Sequence, residues 1–170
     1  MGFLDKILGK TAPAQVLPCE PGTVYGPIRG RVMPLEEIGD GVFSEGVLGP
    51  GCGIEPAEET VYAPFAGTVT QLTDTKHAIG LCSADGLELL IHVGMDTVDM
   101  NGKGFAYHVK DGEKVERGQK LMTFSFADIK AAGHPATTAV ILANADEVGK
   151  PQGIKLGDAK VGDVLMRMES

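Results

Sequence analysis

Histidine is the side chain whose ordinary pKa lies closest to neutrality, and this chain has four. Two of them, His77 and His92, lie on either side of Ser83-Ala84-Asp85-Gly86, a turn-rich tetrad between two strand-like runs. Such a pattern reads as a β-hairpin. Two neighbouring imidazoles support several chemistries. One neutral ring can attack phosphorus while the other donates a hydrogen bond to the phosphoryl oxygens, steadying their charge during in-line transfer. The pair can also ligate a metal, since neutral imidazole is a common zinc ligand. Taken singly, each can be a hydrogen-bonded histidine at the edge of a β-core.

Which of these applies depends on register. If the tetrad forms a four-residue loop, Cys82 faces Leu87 and His77 lies opposite His92, with Cβ atoms about 5 Å apart on one sheet face. The other face then matches Ala78 to Ile91 and Gly80 to Leu89. A rival register places Gly86 in a bulge and turns His92 away from His77. It collects Ile79, Leu81, Leu89, Ile91 and Val93 on one apolar face. Periodicity leaves both registers open.

The elements that must position the histidines are legible as a repeat. Val24-Tyr25-Gly26-Pro27-Ile28-Arg29-Gly30-Arg31-Val32 runs on to Leu35, and Val61-Tyr62-Ala63-Pro64-Phe65-Ala66-Gly67-Thr68-Val69 runs on to Leu72; six of the twelve positions are identical. Each copy reads as a strand, a proline kink with a glycine, and a second strand. Val109 to Leu121 has two glycine-bearing turns around Val115 and leads into a strand from Leu121 to Phe126. Ala159 to Met168 offers a similar turn and strand. The one helix expected is short, Ala127 to Ala132, stopped by Gly133 with Pro135 beyond. In 170 residues with 24 glycines, these short strands and regular turns predict one all-β domain, an antiparallel β-sandwich with minor helix.

Fifteen Lys and Arg against 23 Asp and Glu give a net charge of −8, which disfavours nucleic acid and anionic lipid and favours basic partners. Cys19, Cys52 and Cys82 form no CxxC pair and follow no signal-peptide-like segment, pointing to a reduced, cytoplasmic setting. No stretch approaches the roughly 20 apolar residues of a membrane helix. Residues 1–20 read as a flexible tail ahead of a domain spanning 21–170. Phe3, Leu4, Ile7 and Leu8 share one helical face, so residues 1–10 read either as a frayed terminus or as a short amphipathic helix touching a membrane surface weakly.

Leu87-Glu88-Leu89-Leu90-Ile91-His92-Val93-Gly94-Met95-Asp96-Thr97-Val98, continued by Asn101-Gly102-Lys103-Gly104-Phe105, resembles the phosphorylation-site pattern of the glucose-type IIA components of the bacterial phosphoenolpyruvate-dependent sugar phosphotransferase system. The similarity covers about residues 20 to 168. It implies a barrel-sandwich hybrid in which His92 is phosphorylated and His77, within Thr75-Lys76-His77-Ala78, stabilises the phosphoryl group while Thr75 orients His77. It also implies the first register. Gly39-Asp40-Gly41-Val42-Phe43-Ser44-Glu45 resembles the rim loop of that family, so Asp40 and Asp96 are expected to flank His92, and Val42, Phe43 and Val93 to wall a shallow depression for partners. Val93, Thr73 and Ile79 replace aromatics of many relatives, lightening that surround. The implied donor is the histidine carrier protein HPr, the implied acceptor the cysteine of a IIB domain, and no cofactor or metal is required. Binding of regulatory targets by the unphosphorylated form is compatible with the same residues. Residues 1–10 resemble the membrane-associating tail of enterobacterial members.

Three further readings compete, one of them a non-catalytic interaction module that differs only in whether His92 accepts phosphate. A zinc peptidase on a related sandwich would use His92 and Asp96, but its second ligand motif, an HxH pair, has no counterpart because His108 and His134 stand isolated. A swinging-cofactor carrier would need a lysine in a fixed hairpin motif, which neither Lys114 nor Lys120 has.

Overall fold

The structure is a computed structural model that describes residues 17–168. Fourteen strands among these residues form three antiparallel sheets. The largest runs β13 (Gly157–Ala159), β2 (Gly30–Pro34), β3 (Gly51–Pro56), β11 (Thr138–Leu142), β7 (Glu88–His92), β6 (Ala78–Ser83), β5 (Gly67–Leu72), β9 (Lys114–Val115). Two three-stranded sheets complete the barrel-sandwich: β1 (Thr23–Tyr25) with β14 (Val164–Met168) and β12 (Pro151–Ile154), and β4 (Thr60–Tyr62) with β10 (Lys120–Phe124) and β8 (Phe105–Tyr107). The expected all-β class therefore holds.

The repeat seen in the sequence is a structural one. Each copy is a strand, a proline-containing crossing and a second strand: β1 to β2, and β4 to β5. The crossings are tied reciprocally, with the Tyr25 N–H donating to the Pro64 carbonyl at 2.9 Å and the Tyr62 N–H to the Pro27 carbonyl at 2.8 Å. The two turn-and-strand segments extend the symmetry. β9 and β10 serve β5 and β4 as β13 and β14 serve β2 and β1. Ile28 and Phe65, equivalent residues of the two copies, are both buried in the main core. Burial of this kind stabilises the fold by roughly 25 cal/mol per Å² of apolar surface removed from water.

The expected helix is α1, Phe126–Ala131, capped by Ser125, whose Oγ accepts the Asp128 N–H at 3.1 Å. A second short helix, α2 (Ala145–Val148), and the central strands β3 and β11 are additions that the sequence reading did not contain. β11 is buried along its whole length, so Thr138-Ala-Val-Ile-Leu142 carries no alternation to betray it as a strand.

The hairpin of β6 and β7 adopts the rival register. Ala78 pairs with His92, Ile79 with Ile91 and Leu81 with Leu89. Gly86, at φ +95°, occupies the left-handed position that ends a three-residue loop, and Ser83 and Leu87 close it. The expectation that His77 would lie directly opposite His92 is thus corrected. The reason is packing: this register sends Ile79, Leu81, Leu89, Ile91 and Val93 together into the main core, whereas the other would split them between two faces. The Asn144 side chain braces the hairpin, accepting from the Glu88 N–H at 2.9 Å and donating to the Gly86 carbonyl at 2.8 Å.

Candidate functional site

With the core-facing set committed, His92 at the end of β7 belongs to the opposite face of the large sheet. Its Cα partners on the two neighbouring strands are Ala78 and Ala139, whose small side chains leave room for an imidazole. A small second apolar cluster lies on this face, made of Leu35, Phe43, Met95, Ala139 and Ile141 with Leu90 against it. The Phe43 ring sits 4.9 Å from the His92 ring, centroid to centroid, and tilted by 57°.

His77 reaches the same place by leaving the sheet. It precedes β6, and Lys76 before it is in the left-handed region at φ +60°, which redirects the chain out of strand geometry. The His77 carbonyl still accepts the Val93 N–H at 2.7 Å, but the His77 ring packs edge-on against His92, with centroids 4.7 Å apart and planes at 78°. The two histidines are therefore neighbours, although the register that was expected to make them so is absent. His77 is 6 % exposed, and Thr75 Oγ1 lies 2.7 Å from its Nδ1.

His92 Nδ1 lies 2.8 Å from the Gly94 carbonyl oxygen. A carbonyl only accepts, so Nδ1 carries the proton and Nε2 keeps a free lone pair. Gly94 is at φ +77°, and a Cβ there would lie 2.4 Å from Thr97 Cγ2, so the tight turn that aims this carbonyl back at His92 requires glycine. Thr97, fully buried, donates its hydroxyl to the Val93 carbonyl at 2.6 Å and locks the turn from below.

Burial pushes the pKa of His92 down to about 4, with the neighbouring His77 acting in the same direction. The Gly94 carbonyl and the Asp40 carboxylate oppose that shift without reversing it. Burial also lowers the pKa of His77. Near neutrality His92 is therefore uncharged, with its Nε2 unprotonated.

Asp40 is the carboxylate whose charge acts on His92, and it also organises its loop by accepting backbone N–H groups of Ser44 at 3.0 Å, Phe43 at 3.2 Å and Val42 at 3.3 Å. Desolvation would raise the pKa of Asp40, but these hydrogen bonds prevail and hold it below the ordinary carboxylate value. Val42 is exposed beside Phe43. Asp96 is exposed at φ +62° ahead of the turn Thr97–Met100 and makes no hydrogen bond to either imidazole. Val93 does not wall the depression: it is 0 % exposed, in the main core on the far side of the sheet, and Ile79 shares that core. Both alternate with His92 or follow its register, which is why the core claims them.

Four further residues were not marked as candidates by the sequence. Val47 and Leu48, further along the Phe43 loop, and Val98 beyond Gly94 are exposed large apolar side chains. Gly94 supplies the proton acceptor for His92, a role visible only once the turn is built. Among the described residues no group of three or more His, Cys, Asp and Glu side chains is disposed to hold a metal ion. His108 Nε2 lies 3.1 Å from Thr123 Oγ1, and His134 pairs with Asp99 at 2.6 Å.

Comparison with known proteins meets this geometry. The model of the family described as phosphoenolpyruvate-dependent sugar phosphotransferase system, EIIA 1, matches residues 22–148. The β-glucoside-specific EIIBCA component of Bacillus subtilis is 43 % identical over 145 residues, 85 % of this chain and 24 % of that protein. The glucose-specific EIIA component of Oceanobacillus iheyensis is 40 % identical over 141 residues, covering 83 % of this chain and 86 % of that one. The chain thus spans about a quarter of the multidomain relative and most of the single-component one. Among solved structures, glucose permease IIA from Mycoplasma capricolum superposes with a TM-score of 0.80 at 33 % identity, over 85 % of this chain and 93 % of that one. The chain belongs to the EIIA 1 family of the phosphoenolpyruvate-dependent sugar phosphotransferase system, as a phosphoryl-carrying component with that family's β-sandwich fold.

Proposed function

We propose that Nε2 of His92 carries the phosphoryl group, accepting it from the phosphohistidine of HPr and delivering it to the cysteine thiolate of a IIB domain. The observation that carries this reading is the hydrogen bond from His92 Nδ1–H to the Gly94 carbonyl, which leaves Nε2 free beside His77. The Nε2 lone pair forms the new P–N bond while the donor's P–N bond breaks and its electrons return to the donor imidazole. The phosphorylated ring keeps its Nδ1 proton, and the Gly94 carbonyl stabilises the positive charge that the ring acquires. In the second step the thiolate attacks phosphorus, and neutral His92 leaves with the P–N electrons. No proton has to move to make it a good leaving group.

His77 serves this transfer by donating from Nε2 to the phosphoryl oxygens, with the Thr75 hydroxyl donating to its Nδ1 and fixing that tautomer. Asp40 and the exposed Val42, Val47, Leu48 and Val98 form the docking surface. Its acidic and apolar character suits a partner with basic and apolar groups around its own histidine. Asp96 adds charge at the edge of that surface. Residues 21–170 act as one EIIA domain behind a tail of residues 1–20 that lies largely outside the described residues. Among the described residues no helix is long and apolar enough to cross a membrane. We place the protein in the cytoplasm, where HPr and a IIB domain are accessible.

Incubation with phosphoenolpyruvate, enzyme I and HPr, followed by intact mass and peptide mapping, tests the assignment. One acid-labile phosphoryl group on the His92 peptide is expected. A His92→Ala protein that still gains a phosphoryl group on histidine would overturn it.

A further inference from the structure

The loop carrying Thr75 and His77 joins β5, which ends at Leu72, to β6, which begins at Ala78. Pairing of β5 with β6 reaches only as far as Leu72 with Ile79, so on that side Thr73 to Ala78 are left to other contacts, while Ala78 pairs with His92 of β7 on the other. Within the loop one turn forms, the Lys76 N–H donating to the Thr73 carbonyl at 3.1 Å. A residue from the other side of the sandwich closes both ends. The hydroxyl of Tyr107, on β8, accepts from the Thr73 N–H at 3.0 Å, lies 3.2 Å from Thr73 Oγ1, and donates to the Ala78 carbonyl.

These contacts saturate one phenol. Its single proton is committed to Ala78, whose carbonyl can only accept, so the Thr73 hydroxyl must be the donor in their mutual contact and the Tyr107 oxygen accepts twice. The Tyr107 ring packs against the main core and β8 pairs with β10, so the anchor is rigid. The segment it spans holds Thr75 and His77, the contact of the His77 ring with His92, and the left-handed Lys76.

We infer that Tyr107 is a positioning residue for phosphoryl transfer: its hydroxyl buckles the Thr73–Ala78 loop and so holds the His77 ring in its orientation against His92. This rests on the reading of His77 as the group that steadies the transferring phosphoryl. Tyr107 touches neither imidazole and acts only through the loop. Removing the hydroxyl leaves the Thr73 N–H and the Ala78 carbonyl without that partner while the ring remains to fill its place.

The test uses Tyr107→Phe, Thr73→Val and the double variant in the full chain. Acceptance from phospho-HPr and donation to a IIB domain are timed separately, and imidazole ¹⁵N spectra report the tautomer of His77. Expected are acceptance within about twofold of wild type, donation slowed about tenfold as for a misplaced catalytic group, and ¹⁵N shifts of His77 moving from one tautomer towards the average of two. Because Tyr107→Phe already removes every contact of this hydroxyl, including the one with Thr73 Oγ1 that Thr73→Val removes, the double variant should be no slower than the worse single one. Wild-type donation with unchanged His77 spectra overturns the inference. So does an equal fall in both steps, or a double variant whose losses multiply. His77→Gln in the same assay separates the two levels. Wild-type donation by His77→Gln removes the role of His77 itself, whereas slow donation by His77→Gln with wild-type donation by Tyr107→Phe removes only the buckle.

Discussion

Lowering the pH probes the environment of His92 directly, because the proton it would take in the unfolded chain is refused in the folded one. Its pKa falls from an unperturbed 6.5 to about 4 on folding, chiefly through burial. A depressed folded pKa gives stability that is fully present above the unfolded value and lost as pH falls towards the folded value. The window is therefore between pH 6.5 and about 4. Through proton linkage, this residue alone makes the fold about 2 kcal/mol less stable at pH 5 than at pH 8. Urea denaturation at both pH values, in wild type and in His92→Gln, isolates that contribution as the part of the acid loss that the variant lacks. The same physics keeps Nε2 unprotonated, so acceptance from phospho-HPr should stay level from pH 8 to about 5 unless the donor itself titrates. A ¹H–¹³C titration in which His92 has its midpoint near 6.5, or an acid loss that survives in His92→Gln undiminished, would refute the reasoning.

His77→Gln should accept phosphate from HPr but donate it roughly 10²-fold more slowly, the scale of removing one charge-stabilising donor; rapid-quench measurement of each half-reaction checks this. Gly94→Ala forces a Cβ into Thr97 at a left-handed position and should lower the urea-derived stability by about 3 kcal/mol, from strain and overpacking together, while also weakening acceptance as the carbonyl shifts. For Asp40, the asparagine and alanine variants separate two roles. Asp40→Asn keeps an acceptor for the loop N–H groups and should raise the KM for phospho-HPr at low salt, the difference fading above the salt range in which surface charges are screened. Asp40→Ala should add a loss of about 1 kcal/mol in stability, as for a removed cap.

Much of the protein is written locally. The repeat, the glycine-bearing turns after Val109 and Ala159, and the helix stopped at Gly133 are short-range patterns, and each formed where its residues indicated. The candidate site was local too: a strand delivering His92, a preceding Thr75-Lys76-His77, and a loop with Asp40 and Phe43 all came to one place. Register was not local. The β6–β7 hairpin could slip by one residue without disturbing any propensity, and the choice fell to the side that buried Ile79, Leu81, Leu89, Ile91 and Val93 as one surface. That choice took Val93 away from the rim. It also meant that His77 could meet His92 only by leaving the sheet, which the left-handed Lys76 and the distant Tyr107 hydroxyl accomplish. The sequence by itself determined which residues are the candidates for the chemistry, because side-chain type and local spacing carry that information. Their orientation was decided by tertiary structure, because burial is a property of the assembled core and selects between registers that the chain alone presents as equals.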